Sequence, residues 1–387
     1  MQEWNHNKRW NPFNSYKLLT HVEKWRKIQR GGGKIPAPIL VTVDPTNACN
    51  LNCEWCNASY VMEHNHQSLS EKSLMQIADF LPHWNDHNDG VGAVCIAGGG
   101  EPLINPHTGK FIDRLVENGV EVGVVTNGTL IDKFIEPLSK CTWVGVSVDA
   151  GNPQTYDKYK RGKSLQASFK PVIENISKLV QYSKDHCTQL GLDRPAYGVS
   201  FKYLLYKDNM KEVLDAAKIA KQIGCKNIHF RPAGTPWDQI NEDPNAIKFD
   251  PVMVTVFNNQ IEVAIEELDS PEFGVYGVTH KFDSQFKRAN YFDKCYAIFM
   301  TAVFEPPSDT KEGFTLGLCC DRRGDPKLEL IHNCQDVMEI KLAWGSKAHW
   351  QMHDDIIVSK CPRCTYQPHN QIYEQVILKD SMTHKFI

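Results

Sequence analysis

The sequence contains no long hydrophobic run and no large excess of charge of either sign. No stretch approaches the roughly 20 apolar residues that cross a bilayer, which excludes a protein built on membrane-spanning helices. The 43 Lys and Arg residues against 46 Asp and Glu give a net charge of -3, so the chain as a whole has no electrostatic preference for nucleic acid or anionic lipid. The GGGK sequence at 31–34 lacks the upstream glycine and the Ser or Thr of a phosphate-binding loop.

A secretory signal is also missing, since residues 1–16 have neither an apolar core nor a small-residue cleavage site. We therefore expect the reducing environment of the cytosol, where disulfides are rare. The chain nevertheless has 13 cysteines, an odd number. Those that stand alone in apolar or helical stretches are expected to be small buried hydrophobes: Cys95, Cys141, Cys187 and Cys225. The others form a front group and a back group, and this clustering predicts metal ligation.

Apolar β-type segments alternate with helical patterns between residues 39 and 232. The predicted strands are 39–44, 93–98, 121–127, 143–149, 197–205 and 227–232, and the predicted helices lie near 69–82, 108–118, 130–138, 165–184 and 209–223. Nearly continuous apolar strands separated by helices predict an α/β fold with a parallel sheet covered on both faces. Ligands of such folds collect at the carboxyl ends of the strands.

The alternation stops after Pro232, and this change divides the chain into four predicted regions. They are an N-terminal arm at 1–35, an α/β core at 36–234, a linker with a helical segment at 235–290, and a small cysteine-dense domain at 291–387. The length of 387 residues suits one large domain with a smaller appendage.

The front group consists of Cys49, Cys53 and Cys56, which lie on one short loop directly after the first predicted strand. A structural zinc site uses four ligands, whereas an iron–sulfur cubane held by three cysteines leaves one iron open to another ligand. The same loop offers no fourth Cys or His, because His64 and His66 lie farther along. The spacing therefore favours a cluster with one open iron. A zinc-stabilised binding protein is the non-enzymatic alternative.

This region resembles the radical S-adenosylmethionine (SAM) superfamily, whose signature is a CxxxCxxC loop after the first strand of a partial (β/α)6 TIM-like barrel. The run Gly98 to Pro102, which reads GGGEP after the second predicted strand, resembles the GGE motif of that family. The end of the fourth predicted strand, Ser147-Val148-Asp149, resembles the strand end that contacts the ribose. The resemblance covers residues from about 35 to 232, so we expect this barrel as the core.

The resemblance also implies a role for each matching residue. Cys49, Cys53 and Cys56 would hold a [4Fe-4S] cluster whose open iron binds SAM. The implied cofactor-binding residues are Trp55 at the adenine, Gly99, Gly100 and Glu101 at the methionine end, Ser147 and Asp149 at the ribose, and Asn127, Lys202 and Arg231 at neighbouring strand ends. Lys202 and Arg231 are equally compatible with ion pairs at the barrel rim.

The reaction implied by the resemblance is reductive cleavage of SAM. One electron, supplied by a donor of the flavodoxin or ferredoxin type, gives a 5′-deoxyadenosyl radical that abstracts a hydrogen atom from the substrate. The cofactor supplies this chemistry, and the protein supplies position and exclusion of water. The general base is left open among four strand-end residues: Asp44, Asp149, Tyr203 and His229.

The back cysteines resemble the extension of the SPASM/twitch subgroup, in the shorter form that encloses one auxiliary [4Fe-4S] cluster. The resemblance assigns the cluster to Cys295, Cys319, Cys361 and Cys364. Cys320 is the alternate for Cys319, because neighbouring residues on a strand point to opposite faces. Cys334 is expected in the core, and Asp321 and Arg322 are expected in a turn.

The substrate is not specified by any motif. The resemblance implies oxidation or bond formation on a peptide, a protein side chain or a small molecule. Leader binding within the chain is disfavoured, since the 35 residues before the core are too few for a leader-binding domain of about 80 residues. A nucleotide or nucleic acid is a further alternative, supported only by local basic clusters such as KYKRGK at 158–163, which more often form a solvated loop.

Overall fold

The computed structural model describes residues 14–29, 34–85, 89–162, 164–189, 198–234, 249–277, 292–361, 364–379, 382 and 385. Much of the predicted arm and the linker at 235–248 lie outside the described residues. The side chain of Cys187, which is predicted to be buried, is also outside the described part. In the described part of the chain, no helix is both long and apolar enough to cross a membrane.

Ten strands form one sheet in the order β10-β9-β8-β1-β2-β3-β4-β5-β6-β7. Their bounds are β1 Leu40–Val43, β2 Ala93–Ile96, β3 Glu121–Thr126, β4 Trp143–Ser147, β5 Gly198–Leu205, β6 Asn227–Pro232, β7 Gly274–Gly277, β8 Thr301–Glu305, β9 Phe314–Gly317 and β10 Glu329–Cys334. Strands β1 to β7 pair in parallel with their sequence neighbours. The six predicted strands and their parallel arrangement are therefore confirmed.

Helices connect the parallel strands and cover the sheet. The α-helices of the described residues are α1 Val22–Gln29, α2 Ser59–His64, α3 Glu71–Phe80, α4 Thr108–Glu117, α5 Ile135–Ser139, α6 Pro153–Lys160, α7 Phe169–Gln189, α8 Val213–Gln222, α9 Pro251–Leu268, α10 Met338–Ala343, α11 Lys347–Asp355 and α12 Gln367–Ile372. Side-chain caps define several helix starts; for example, the Asn152 side chain accepts the Thr155 N–H at 2.9 Å and begins α6. The fold is the expected α/β partial barrel.

Alternation along the strands separates the helix-facing core from the barrel interior. On β5, Phe201, Tyr203 and Leu205 are fully buried, whereas Lys202 and Leu204 between them are only partly buried. Successive side chains of a strand point to opposite faces, so Lys202 lies on the interior face. This geometry leaves the carboxyl ends of the strands and the interior face for chemistry.

The cysteine-dense region is not separated from the sheet. Strand β8 pairs in parallel with β1, and β9 and β10 continue antiparallel from it. At the other edge, β7 follows α9 within the predicted linker and extends the parallel sheet beyond β6. The boundaries expected near 235 and 291 are therefore not breaks in the sheet, because strands from both sides of each one share backbone hydrogen bonds.

Candidate active site

The front cysteine loop follows β1 and packs against the glycines that follow β2. The Gly100 N–H donates to the Thr46 carbonyl at 3.1 Å. A Cβ on Gly100 would lie less than 3.0 Å from the Ala48 carbonyl, and one on Gly99 would lie equally close to the Asn47 side chain. Both positions therefore need glycine, because only a residue without a side chain allows this approach.

The three front thiols lie in one partly buried place. Burial raises the pKa of Cys53 to about 12 and also raises the pKa values of Cys49 and Cys56. Each thiol interacts electrostatically with the other two, and the Lys160 ammonium opposes the pKa rise at all three. The structure thus brings the predicted ligands together and adds a cation that the sequence analysis did not select.

Lys160, the last residue of α6, is 3% exposed and forms an ion pair with Asp149. Although burial opposes its charge, Asp149 and the neighbouring thiol of Cys53 hold the pKa of Lys160 above its ordinary value. Its backbone carbonyl also accepts the Asn52 N–H from the cysteine loop at 3.2 Å. The interpretation of 158–163 as a solvated loop is therefore wrong for Lys160, because the helix end is folded against the cysteine loop.

Ser147 and Asp149 do not share a strand face as expected. Strand β4 ends at Ser147, and Asp149 has a positive φ of 59°, so the alternation of a strand does not extend to it. Asp149 is only 1% exposed, and its carboxylate also accepts the Leu204 N–H at 2.7 Å. Ser147 stays partly exposed, in register with Lys202 on β5. The ribose role of both residues remains a prediction.

Glu101 joins the loops that follow β2 and β3. Its carboxylate accepts the Thr126 hydroxyl at 2.7 Å, the Asn127 N–H at 2.6 Å and the Leu103 N–H at 3.1 Å. Burial raises its pKa to about 7, and these three donors oppose the rise. Its own N–H donates to the Ala48 carbonyl at 2.8 Å. The side chain therefore supports the glycine loop beside the cysteines.

Asn127 lies at the end of β3 and contacts the cysteine loop through a side chain that sequence analysis missed. Its amide nitrogen donates to Asn50 Oδ1 at 2.8 Å, and Asn50 in turn donates to the Thr129 hydroxyl at 2.8 Å. Asn50 occupies a variable position of the CxxxCxxC pattern, so the pattern offered no signal for it. The three polar side chains tie the loop to the third strand.

Trp55 is buried between two tyrosines. Its ring centroid lies 5.0 Å from that of Tyr159 and 4.9 Å from that of Tyr206, both in tilted arrangements. The Tyr206 hydroxyl donates to Glu54, the residue before the tryptophan, at 3.3 Å. An aromatic wall therefore stands beside the cysteine loop, and the adenine role of Trp55 remains a prediction. Tyr159 and Tyr206 carried no motif that could have identified them.

Two of the suggested general bases are engaged elsewhere. Tyr203 is fully buried on the helix-facing side of β5, where its hydroxyl donates to the Asn209 carbonyl at 2.7 Å. The Tyr203 side chain therefore points away from the barrel interior, because successive side chains of a strand point to opposite faces. Asp44 is also fully buried and is paired with the Arg323 guanidinium. Of the four suggested general bases, Asp149 and His229 remain. His229 pairs in register with Lys202, on the interior face of the sheet.

The barrel interior carries several charged groups around a cysteine. Burial and the nearby Arg231 lower the pKa of Lys202 to about 7. Burial raises the pKa of Cys95 to about 12, and this thiol interacts with Arg323, Asp44 and Lys202. Cys95 was expected to be a small buried hydrophobe, but its position on β2 directs it to the polar interior. That expectation is confirmed for two other cysteines, which are buried in the core: Cys141 and Cys225.

The four back cysteines assigned to an auxiliary cluster also lie together. Burial raises the pKa of Cys295 to about 12 and raises the pKa values of Cys319, Cys361 and Cys364. Cys295 interacts electrostatically with each of the other three, and Cys319 interacts with Cys364. We call this set the back quartet. It draws on three separate segments of the chain, around Cys295, Cys319 and the pair Cys361 and Cys364, which meet only in the folded protein.

The adjacent cysteine, Cys320, is directed to other groups. Its sulfur lies 3.3 Å from the Tyr366 hydroxyl, and it interacts with the thiol of Cys95 and the guanidinium of Arg323. Cys334 is 1% exposed and donates to the Asp336 carbonyl at 3.1 Å. The core position expected for Cys334 is therefore confirmed, and Cys319 is the member of the adjacent pair that joins the back quartet.

Neither thiol set is arranged as a site for one ion. Among the residues that the structure describes, no three Cys, His, Asp or Glu side chains are grouped as ligands of a single metal. In an iron–sulfur cubane each thiolate binds a different iron, so the ligands stand farther apart than around one zinc ion. Partly buried thiols that interact without converging on one point fit such a cluster.

Comparison with known families matches residues 43–195 to the model of the Radical SAM superfamily. The matched span starts at the last residue of β1 and contains the cysteine loop, the glycine loop and the ends of β3 and β4.

Residues 43–195 are therefore similar to the radical SAM superfamily.

Two curated relatives match about half of the chain. The antilisterial bacteriocin subtilosin biosynthesis protein AlbA of Bacillus subtilis (strain 168) is 27% identical over 52% of the chain and 40% of its own length. The serine-type anaerobic sulfatase-maturating enzyme of Bacteroides thetaiotaomicron is 28% identical over 50% of the chain and 46% of its own length. The chain thus spans half or less of these relatives.

Among solved structures, SuiB of Streptococcus suis bound to SAM aligns with a TM-score of 0.57 at 12% identity. The alignment covers 90% of this chain and 73% of SuiB, so the similarity extends beyond the matched domain into the region of the back quartet. At this identity the similarity establishes the fold. The expected α/β partial-barrel fold is thereby confirmed.

Proposed function

We propose that this radical SAM enzyme cleaves SAM at the front cysteine loop, abstracts a hydrogen atom from a peptide or protein side chain, and completes an oxidation or bond formation with the help of an auxiliary [4Fe-4S] cluster at the back quartet. When bound, the front cluster and SAM supply the 5′-deoxyadenosyl radical. Everything else in the proposal concerns the side chains that hold, orient and shield these groups.

The front loop would supply three thiolates, and a buried cation lies beside them. Cys49, Cys53 and Cys56 would hold the cluster, and the buried Lys160 ammonium offsets part of their negative charge. Gly99 and Gly100 would present backbone to the methionine end of SAM, and their packing against Asn47 and Ala48 keeps that backbone beside the cysteine loop. These features support a site that binds the cluster and SAM side by side.

The observation that carries the proposal is the gathering of the back quartet beside the barrel. Strand β8 lies next to β1, and the turn after Cys319 sends Arg323 into the barrel interior, where it pairs with Asp44. The same turn places Cys320 near Cys95 on β2. A cluster at the quartet would therefore lie close to the interior in which substrate reacts, and four thiolate ligands would suit it to electron transfer.

Two points of the proposal rest on the relatives and the chemistry. The names of AlbA and of the anaerobic sulfatase-maturating enzyme describe a bacteriocin biosynthesis protein and a protein-maturing enzyme, which favours a peptide or protein substrate. A flavodoxin or ferredoxin in a reducing compartment is the expected electron donor, because one-electron reduction of such a cluster needs a low potential.

Anaerobic reconstitution tests the proposal directly. Two cubanes require about eight irons per chain, whereas a zinc-stabilised protein would take about one or two zinc ions. Reduced protein mixed with SAM should release 5′-deoxyadenosine, and Cys53→Ala should abolish this product. Cys225→Ala is the matched control, since that cysteine is buried away from both sites. Zinc without iron, or unchanged product from Cys53→Ala, would refute the proposal.

A further inference from the structure

Two consecutive arginines after Cys319 serve different sites. Arg323 enters the barrel and pairs with Asp44. Arg322 turns the other way, and its Nη1 donates to the Cys361 sulfur at 3.9 Å, within the range of a hydrogen bond to sulfur. The sequence placed Arg322 in a turn without a chemical role. The structure keeps it in the turn but aims its guanidinium at a member of the back quartet.

Arg322 is held in this position from both ends. Its backbone N–H donates to the Cys319 carbonyl at 3.2 Å, so the residue is fixed relative to a second quartet member. Its other terminal nitrogen forms an ion pair with Asp325, and both side chains are largely buried at 20% and 16% exposure. Asp325 is itself fixed, because it accepts the Lys327 N–H at 3.0 Å. A guanidinium braced in this way loses little entropy in contacting sulfur.

Charges of both signs act on the back quartet. Burial raises the pKa of Cys361, and Arg322 opposes that rise both through its charge and through its hydrogen bond. Asp321 acts in the opposite sense on Cys319, Cys361 and Cys364, and Asp325 does so on Cys361. The Asp321 carboxylate is committed to the Thr365 backbone N–H and to its hydroxyl at 2.9 Å. Arg322 is thus the positive group that faces the thiol side of Cys361.

We propose that Arg322 sets the reduction potential of the auxiliary cluster by hydrogen bonding to the Cys361 sulfur. The inference rests on the proposed function, in which the back quartet binds that cluster. The reduced cluster carries one more negative charge than the oxidised one. A positive charge and a hydrogen bond at a ligand sulfur stabilise the reduced form and so raise the potential. Arg322 is a positioning residue that acts through Cys361.

The test is a redox titration of the reconstituted full-length protein, with iron–sulfur reduction followed by electron paramagnetic resonance. The auxiliary signal is assigned with a Cys49→Ala, Cys53→Ala, Cys56→Ala variant, which retains only the back quartet. Arg322→Gln should shift the equilibrium toward the oxidised cluster about tenfold, equivalent to a potential more negative by about 59 mV for one electron. Arg322→Lys, which keeps the charge but loses the fork, should shift it by a smaller amount.

The matched control is Lys360→Gln. Lys360 precedes Cys361 in the chain, carries the same charge as Arg322 and is exposed to solvent. Water screens its charge, so its removal should leave the potential within about twofold of the wild-type equilibrium. Asp325→Asn removes a negative charge that acts on Cys361 and offsets Arg322, so it should shift the potential in the direction opposite to Arg322→Gln. Arg322→Lys carries the test if Arg322→Gln does not retain the cluster.

The outcomes separate the inference from the function on which it rests. If the wild-type protein takes up about four irons rather than eight, no auxiliary cluster forms and the proposed function fails. If about eight irons are present and neither Arg322 variant moves the auxiliary potential, the inference is overturned while the function stands. Equal shifts for Arg322→Gln and Lys360→Gln would overturn it as well, since net charge alone would then explain the effect.

Discussion

The Arg323 guanidinium pairs with the Asp44 carboxylate across 279 positions of sequence. Asp44 continues from β1, and Arg323 belongs to the turn that carries the back cysteines. The Tyr60 hydroxyl on α2 donates to the Arg323 carbonyl at 2.9 Å. The turn that carries the back cysteines is therefore attached both to the first strand and to the helix that directly follows the front cysteines.

Loss of this ion pair should destabilise the protein. Arg323→Met leaves the fully buried Asp44 carboxylate without its cation, and we expect the free energy of unfolding to fall by about 3–5 kcal/mol. Urea unfolding measures the change. The control is Arg26→Met, which removes an arginine from a surface pair with Glu23 whose side chains are 57% and 77% exposed. That change should cost less than about 1 kcal/mol. Equal effects of the two variants would contradict the assigned importance of the buried pair.

Two lysines at the end of α6 allow a buried ion pair to be compared with an exposed one. Lys160→Met removes a buried cation beside Asp149 and the front thiols, so the free energy of unfolding should fall by about 3–5 kcal/mol and 5′-deoxyadenosine formation should be lost. Lys158→Met, two residues earlier, removes an exposed lysine paired with the exposed Asp208 and should leave both measurements unchanged. A fully active Lys160→Met protein would show that the ammonium has no part in the site.

A pH dependence follows from Glu305, at the end of β8. Burial, with help from Asp44, raises its pKa to about 8, above the ordinary value of 4.5. The folded protein therefore holds this proton more tightly than the unfolded chain, and the stabilisation present below about pH 4.5 is lost as the pH rises through about 8.

Glu305→Gln removes this titration while keeping an oxygen to accept the Gly324 N–H, which lies 3.0 Å from the carboxylate. The stability of the wild-type protein relative to the variant should fall between pH 5 and pH 8.5 by at least about 1.4 kcal/mol, the value of one pKa unit. Denaturant unfolding at the two pH values measures it. A constant difference between the two proteins would mean that the carboxyl group is not shifted.

The glycine loop can be tested with a single methyl group. Gly100→Ala places a Cβ less than 3.0 Å from the Ala48 carbonyl, a backbone atom that cannot rotate away. The loop must shift, at a cost of about 1–3 kcal/mol, and 5′-deoxyadenosine formation should fall more than about tenfold. Gly92→Ala is the control, since nothing lies within 4 Å of the added Cβ. Normal activity of Gly100→Ala would show that the close approach is not required.

The adjacent cysteines of the back region should differ in iron binding. Cys319 interacts with Cys295 and Cys364, whereas Cys320 lies against Tyr366 and the barrel interior. Cys319→Ala should reduce the iron content from about eight to about four per chain, and Cys320→Ala should leave it at about eight. Iron analysis after anaerobic reconstitution measures both. The reverse pattern would exchange the roles of the two cysteines.

Short-range sequence patterns were sufficient to predict the parallel sheet and the grouping of the front cysteines. Each strand from β1 to β6 is a local apolar segment, and its side-chain period depends only on backbone geometry. The three cysteines share one loop, so their spacing in the chain nearly equals their spacing in space. For the same reason the burial of Cys334 could be judged from its immediate surroundings.

What the sequence by itself determined, then, is the order of parallel strands, the loop that carries Cys49, Cys53 and Cys56, and the glycines that approach it. Only the tertiary structure decided that Lys160 lies among these thiols, that Arg323 reaches Asp44, and that Arg322 faces Cys361. The physical reason is that such contacts join residues whose separation in the chain says nothing about their distance in space. The pairing of β8 with β1 and the folding of the α6 end against the cysteine loop bring them together, and neither long-range contact leaves a local periodic signal.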